Sequence, residues 1–424
     1  MNISKLAKNI YRAITRPFSR KKRNTKKRSG LNPRTVVPSR NAIPKSLNEF
    51  LAKGNRAKLE NPPIFAFYFD DRKSYLKKWF PEKTLLLMGM RVDKGMFEKK
   101  FKSLLLSNPD SEILSWGYRA DKWVYDFANE HCIPLTYCED GFIRSTGLGN
   151  ERQQPLSLCF DRQGIYFDAR SPSDLETLLS LYDFQRDTTL MERAGVCREK
   201  LLSLGLSKYN FASPQDINNI YGPKSAKRIL VLGQVETDAS IKYGCEKKIN
   251  NNDAVRLARA ENPDAQIIYK PHPDVLHGGK LQVSDPQEVA DIATVVYESI
   301  PFAQALETID HVYTITSLGG FEALLRGITV TTLGCPFYSG WGLTDDRQPN
   351  HRRKRNLTID QLFAGAYILY PWYFHPLDNR RIELEEALEV MAQLKAGRDA
   401  GIDATPSALT GIELPSVVSA SVTT

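Results

Sequence analysis

The chain has 424 residues, 42% hydrophobic and 25% charged, which suits a soluble globular protein of two domains of roughly 150–200 residues rather than one core. Its formal charge of +9 is concentrated: residues 1–30 hold 11 Lys or Arg and no acid, and taking 11 from 58 leaves 47 bases against 49 acids, so the body offers no basic face for nucleic acid. Six cysteines without a C-x-x-C pair argue for a reducing compartment and against a zinc site or disulfide framework, and no run approaches the ~18 apolar residues of a membrane span or follows a signal-peptide pattern.

At about 100° per residue, Ile3, Leu6, Ile10, Ala13, Ile14 and Phe18 fall on one arc of a helix, with Lys5, Lys8, Arg12, Arg16 and Arg20 opposite. Such a helix can lie in the headgroup region of an anionic membrane, and the KKRNTKKR run that follows adds attraction. A disordered basic tail with no specific partner is the plainer alternative. An RNA-binding arm is disfavoured because no aromatic residues interleave the basic run.

After a linker from about Ser29 to Pro44, strands and helices alternate. Ile64–Phe69, Thr84–Met88, Ile113–Tyr118 and Ile133–Cys138 read as buried strands, with a helix over Lys122–Glu130. The last of these strands runs into Glu139-Asp140-Gly141, two carboxylates before a glycine, placed to serve as acid, base or nucleophile. Asp-Gly is also a routine turn pair. Pro155–Phe160 and Ile165–Phe167 across a DRQG turn predict a hairpin, and Ser173 and Glu176 have the spacing of a capping box. A helix over Met191–Leu204 and a loop over Ser213–Lys224 mark a domain boundary.

A second series follows. Arg228–Leu232 is a strand leading into Gly233 to Asp238, Asn252–Ala260 a helix, Gln266–Tyr269 a strand, Val289–Leu306 a helix and His311–Thr316 a strand, an order that implies a parallel, doubly wound sheet. Pro271 and Pro273 stop the strand at Tyr269, leaving Lys270 and His272 at its carboxyl end, where an open α/β sheet binds ligands. A cation and an imidazole on a stiff chain suit an anionic group such as a nucleotide phosphate, although a plain loop also accounts for a lone His-Pro. Ser317, Gly319 and Gly320 open a further helix and can present backbone N–H groups to a phosphate, with Glu322 one turn inside and able to reach a ribose hydroxyl. A Ser-capped helix with tight glycine packing is the structural alternative. Ile328–Leu333 is a last strand before the loop Gly334–Thr344, rich in aromatics and glycine; Asp345-Asp346 hints at a metal, with no further ligands nearby.

Five stretches, EDGFIRSTGLG, PLSLCFDRQGIYFDARSPSDLE, LVLGQVETDAS, YKPHPDV and TSLGGFEALLRGITVTTLGCPFYSGWGLTDD, resemble the capsule polysaccharide synthesis proteins of the KpsC type, β-Kdo glycosyltransferases, over roughly Thr84–Pro376. Family members often carry two transferase modules in tandem; this chain has length for one. The resemblance implies a GT-B-like α/β fold, two Rossmann-like domains with parallel sheets facing a cleft. It divides the chain into a basic tail 1–45, an acceptor domain 46–212, a CMP domain 213–350, a helical segment 351–395 packing back on the fold and a flexible tail 396–424.

It also implies a function: retaining transfer of Kdo from CMP-Kdo to a lipid-linked or oligosaccharide acceptor, with no cofactor and no metal, on the inner face of the cytoplasmic membrane, other capsule assembly proteins being further partners. A non-catalytic capsule assembly or export component is the alternative. The carried-over roles give His272, Lys270, Pro273, Gln234, Ser317, Gly319 and Gly320 to the donor nucleotide, Glu322 to ribose and Arg144 to the Kdo carboxylate. Asp238, of the Gln234-x-x-x-Asp238 pattern, is the nucleophile, with Asp140, supported by Glu139, as acceptor-side base; the order of the two aspartates stays open.

Overall fold

The computed structural model of the chain describes Leu47, Leu59 and residues 61–90, 92–147, 153–210, 212, 214–276 and 281–399. The interfacial helix expected over Ile3–Phe18 lies outside these residues.

Short strands, most of them buried and several ended by glycine, proline or an acidic residue, build two sheets. The first is ordered β13-β12-β5-β4-β3-β1-β2, from β1 (Pro63–Phe67), β2 (Thr84–Gly89), β3 (Glu112–Trp116), β4 (Leu135–Asp140), β5 (Ser157–Asp161), β12 (Pro371–Phe374) and β13 (Arg381–Ile382). Strands β2, β1, β3 and β4 run parallel, whereas β5 and β12 pair antiparallel. The second is β11-β10-β9-β6-β7-β8, parallel throughout, from β6 (Arg228–Leu232), β7 (Gln266–Lys270), β8 (Thr294–Val295), β9 (His311–Thr314), β10 (Thr329–Thr332) and β11 (Asp345–Asp346). Both are buried on two faces, as their unbroken apolar runs require. Alternate residues of β6 go to opposite sides: Ile229 and Val231 pack on Val255 and Ala258, Leu230 and Leu232 on Ala305, Leu306 and Ala323.

The helices that matter below are α1 (Lys122–Glu130), α2 (Asp174–Leu181), α3 (Thr188–Ser203), α4 (Ala239–Gly244), α5 (Asn251–Glu261), α6 (Leu318–Leu325) and α7 (Leu384–Asp399). Most start on a side chain that accepts a backbone N–H: Ser173 for α2, Asp187 for α3, Asp238 for α4, Ser317 for α6, and for α5 a full capping box of Asn250 and Asp253. In each sheet the strand order reverses, between β1 and β3 and between β6 and β9, and ligands bind at such switch points in open α/β sheets.

Three expectations are corrected. Ile165–Phe167 is not a strand: β5 is already flanked by β4 and β12, and Asp161 Oδ1 accepts the N–H groups of Gln163 (3.0 Å) and Gly164 (2.8 Å), turning the chain away. The helix expected over Val289–Leu306 is a short 3-10 turn at Pro286–Val289, the edge strand β8 and a four-residue helix Phe302–Ala305. Pro301 and the β-branched run Thr294-Val295-Val296 defeat the helix. The box expected at Ser173 and Glu176 is half formed: Ser173 caps, but the Glu176 carboxylate turns to Arg352 Nε (2.6 Å) and Arg353 Nε (3.0 Å). The segment after 351 adds β12 and β13 to the first sheet as well as α7, with Trp79 stacked on Phe374 at 3.6 Å.

Candidate active site between the two sheets

A cavity of about 990 Å³ opens where the carboxyl ends of the strands of both sheets meet. Its first-sheet wall carries Lys73 and Tyr75 after β1, Trp116 as the last residue of β3 with Arg119 beyond it, and Glu139 and Asp140, the last two residues of β4. Its second-sheet wall carries Gln234 and Asp238 after β6, Lys270 as the last residue of β7 with Pro271 to Asp274 beyond it, and Ser317, Gly319 and Glu322 after β9. Asp140, Asp238, His272 and Ser317, separated by up to 177 positions in the chain, therefore share one space.

The carboxylate pair has two characters. Asp140 Oδ2 accepts from Arg144 Nε at 2.7 Å, while its buried Oδ1 has no hydrogen-bond partner. Burial alone would raise this carboxyl, but Arg144, Lys208 and Lys73 together hold it below the ordinary range. Burial pushes its neighbour Glu139 up to about 7, with the Asp140 charge adding to the effect and Arg119 and Lys208 opposing it. One carboxylate is a fixed anion; the other can exchange a proton near neutrality. Arg144, expected to meet a ligand carboxylate, lines the cavity at 3% exposure, with Nε donating to Asp140 and Nη1 to Ser145 Oγ at 2.9 Å.

Lys208 has no local sequence signal. Its backbone carbonyl accepts from Arg144 N at 3.2 Å and its N–H donates to Glu322 Oε1 at 3.1 Å, so it bridges the carboxylate wall to α6. Burial works against the Lys208 ammonium, yet Tyr166, Tyr209, Asp140 and Glu139 raise it well above its usual value. Glu322 is 3% exposed and pushed by burial up to about 7, with Arg326 opposing; its buried Oε2 has no partner.

On the opposite wall, the Asp274 N–H donates to His272 Nδ1 at 3.1 Å, which assigns the proton of the neutral ring to Nε2. Burial brings the Lys270 ammonium down to about 8, against the pull of Glu298, whose carbonyl it meets at 3.1 Å. Gly233 lets β6 and β7 end side by side: a Cβ there would lie 2.9 Å from Pro271 Cα. Gln234 is 6% exposed, and its amide is spent on Thr316, accepting from its N–H at 2.7 Å and donating to its Oγ1 at 3.1 Å. It ties the ends of β6 and β9 together. Ser317 Oγ accepts from Gly319 N at 3.1 Å as the cap of α6. Gly320 does not line the cavity; a Cβ there would come within 2.9 Å of Tyr338 Cζ and 3.0 Å of Thr314 Cγ2, so this glycine serves helix packing. Asp238 lines the cavity from an exposed position, with Oδ1 fixed by Ser240 N at 2.9 Å. Asp345 and Asp346 form β11 and bond Thr331 (2.9 Å) and Thr332 (3.0 Å).

Residues 111–373 match the family described as capsule polysaccharide biosynthesis protein. The chain is 48% identical over 282 residues to the lipopolysaccharide-processing protein LpsZ of Rhizobium meliloti, covering 66% of this chain and 64% of that one. It is 43% identical over 287 residues to the capsule polysaccharide modification protein LipA of Neisseria meningitidis, covering 68% and 40%. It thus spans less than two thirds of the length of either relative. Among solved structures it is similar to Thermosulfurimonas dismutans KpsC, beta Kdo 2,4 transferase (TM-score 0.65, 30% identity, 79% of this chain and 99% of that one) and to the beta Kdo 2,7 transferase of the same name and organism (0.61, 33%, 79% and 100%).

Proposed function

The chain belongs to the capsule polysaccharide biosynthesis protein family, and from that membership and the cavity we propose that it is a GT-B-like glycosyltransferase that moves Kdo from CMP-Kdo to a saccharide acceptor with retention of configuration. What carries the reading is the sharing of one cavity by a phosphate-suited wall, His272, Lys270 and the start of α6, and a wall with two carboxylates whose acidities are shifted in opposite directions.

Retention follows from two displacements at the anomeric carbon. In the first, an Asp238 carboxylate oxygen bonds to that carbon as its bond to the phosphate oxygen breaks, and the electron pair leaves with CMP. His272 Nε2–H, the Lys270 ammonium and the N–H groups opening α6 meet the charge that develops there, a task that calls for no metal. In the second, the acceptor hydroxyl oxygen bonds to the carbon from the other face, its proton passes to Glu139, and the pair of the breaking bond returns to Asp238. Glu139, near 7, is the better proton acceptor of the pair; Asp140, held anionic by Arg144, is too weak a base and orients the acceptor. Glu322 takes the ribose, and Lys208 joins Arg144 in meeting the sugar carboxylate. The basic residues 1–30 keep the enzyme at an anionic membrane, where a lipid-linked acceptor resides.

Incubation with CMP-Kdo and a synthetic saccharide acceptor, read by mass spectrometry and NMR, tests the reading. A Kdo-extended product with the donor's anomeric configuration is expected. His272→Ala and Asp238→Ala should each lower transfer by at least about 10²-fold with the circular dichroism spectrum unchanged, since both lie on loops. Losses below tenfold in both would remove them from the chemistry.

A further inference from the structure

We infer that Tyr243 is a positioning residue for Asp238, gripped from the first-sheet side by Arg170; the inference rests on the reading of Asp238 as nucleophile. Helix α4 has six residues, too few to hold its own axis, so its direction is set by what grips its ends. Asp238 caps one end and lines the cavity. Tyr243 stands at the other, about 7.5 Å away along the axis at ~1.5 Å per residue.

The grip comes from loops of the first sheet. Tyr243 O accepts from Ala169 N at 3.1 Å, and the Arg170 guanidinium lies 4.2 Å from the centre of the Tyr243 ring. Arg170 is itself fixed by a two-point bond to Asp168 (Nε–Oδ1 2.9 Å, Nη2–Oδ2 2.7 Å), a carboxylate only 4% exposed. The ring meets Tyr118 edge-on at 5.2 Å and lies nearly parallel to Phe167 at 6.4 Å. On the second-sheet side α4 is held by other groups: buried Ile241, and Gly244 O, which accepts from Cys335 N at 2.8 Å and Gln348 Nε2 at 3.2 Å. Tyr243 therefore adds little to the packing of its own sheet. It sets where α4, and with it Asp238, stands relative to the wall that bears Glu139 and Asp140. An error of about 1 Å in such a placement costs about 10²-fold in rate.

The test compares Tyr243→Ala, Tyr243→Phe and Arg170→Gln in full-length protein, with Asp238→Ala as the control on the nucleophile. Tyr243→Ala is expected to lower kcat 10–100-fold while the KM for CMP-Kdo changes less than threefold, and to slow the appearance of sugar mass on the Asp238 peptide after rapid quenching. Tyr243→Phe, which keeps the ring, should stay within threefold of the parent, and Arg170→Gln should share the loss seen in Tyr243→Ala, so that the double variant is no worse than either. If Asp238→Ala is inactive and Tyr243→Ala turns over normally, the inference falls and the nucleophile stands. A rise in KM with kcat unchanged would also overturn it, making the ring a substrate contact. Activity retained by Asp238→Ala would instead end the nucleophile reading. Should Tyr243→Ala fail to fold, Arg170→Gln alone decides, since its guanidinium is largely at the surface: parental kcat in that variant refutes the inference, and a tenfold loss supports it.

Discussion

Titrating the reaction separates the two walls. In the proposed mechanism Glu139 must be ionised to accept the acceptor's proton, and burial sets its pKa at about 7; Lys270 must be protonated to hold phosphate, and burial sets it at about 8. The sign is therefore a rise in kcat/KM as pH passes 7 and a fall as it passes 8. Near pH 7.5 about 60% of molecules hold both groups in the required state, and at pH 6, where a group at 7 is only about one-tenth ionised, activity should be about sixfold below that maximum. Initial rates from pH 5.5 to 9.5 at constant ionic strength give the profile. Glu139→Gln should lower the maximum by about 10²–10⁴-fold and abolish the acid limb, whereas Lys270→Arg, which cannot lose its charge in this range, should abolish the alkaline limb. Glu322 is also raised to about 7, so Glu322→Gln is the control: it should weaken donor binding and leave the acid limb of kcat in place. An acid limb that survives Glu139→Gln and disappears with Glu322→Gln would refute the assignment.

Other outcomes follow from packing and charge. Gly320→Ala should destabilise by about 1–3 kcal/mol, because its methyl meets the Tyr338 ring, and an unchanged urea midpoint would disprove the steric argument. Arg353→Met should cost about 3 kcal/mol: Arg353 is 7% exposed, pairs with Glu176 Oε2 and donates to Ser339 O at 2.9 Å, and Arg352 keeps the abandoned carboxylate partly paired. Chemical denaturation with an unchanged midpoint would contradict this. Deleting residues 1–30 should release the protein from anionic but not neutral vesicles, and binding by the full chain should weaken with salt as the Debye length falls from about 10 Å at 0.1 M to about 3 Å at 1 M. Equal co-sedimentation of both forms would show that residues 1–30 do not anchor the protein to the membrane.

The strand ends were legible because buried parallel strands are short apolar runs and the residues that stop them carry chemistry: Pro271 and Pro273 frame His272, Gly233 follows β6, and Glu139-Asp140 close β4. Local signals failed where pairing or space decided. Ile165–Phe167 has strand composition, but both edges of β5 were taken. The residues 289–306 have enough apolar content for a helix, but the free edge of β7 takes Thr294-Val295. Gly319 and Gly320 read alike in sequence, yet one lines the cavity and the other makes room for Tyr338.

Which residues stand at the carboxyl ends of strands follows from hydrophobic runs and the residues that break them within a few positions, so it can be read locally. Their chemical state depends on the packed fold. Lys208 joins the carboxylate wall through a bond from Arg144, 64 positions away, and Glu139 and Asp140, adjacent in the chain, part in ionisation because burial outweighs nearby cations at one and not at the other. Burial and Coulomb terms depend on distances through space, and no local pattern of residues encodes them.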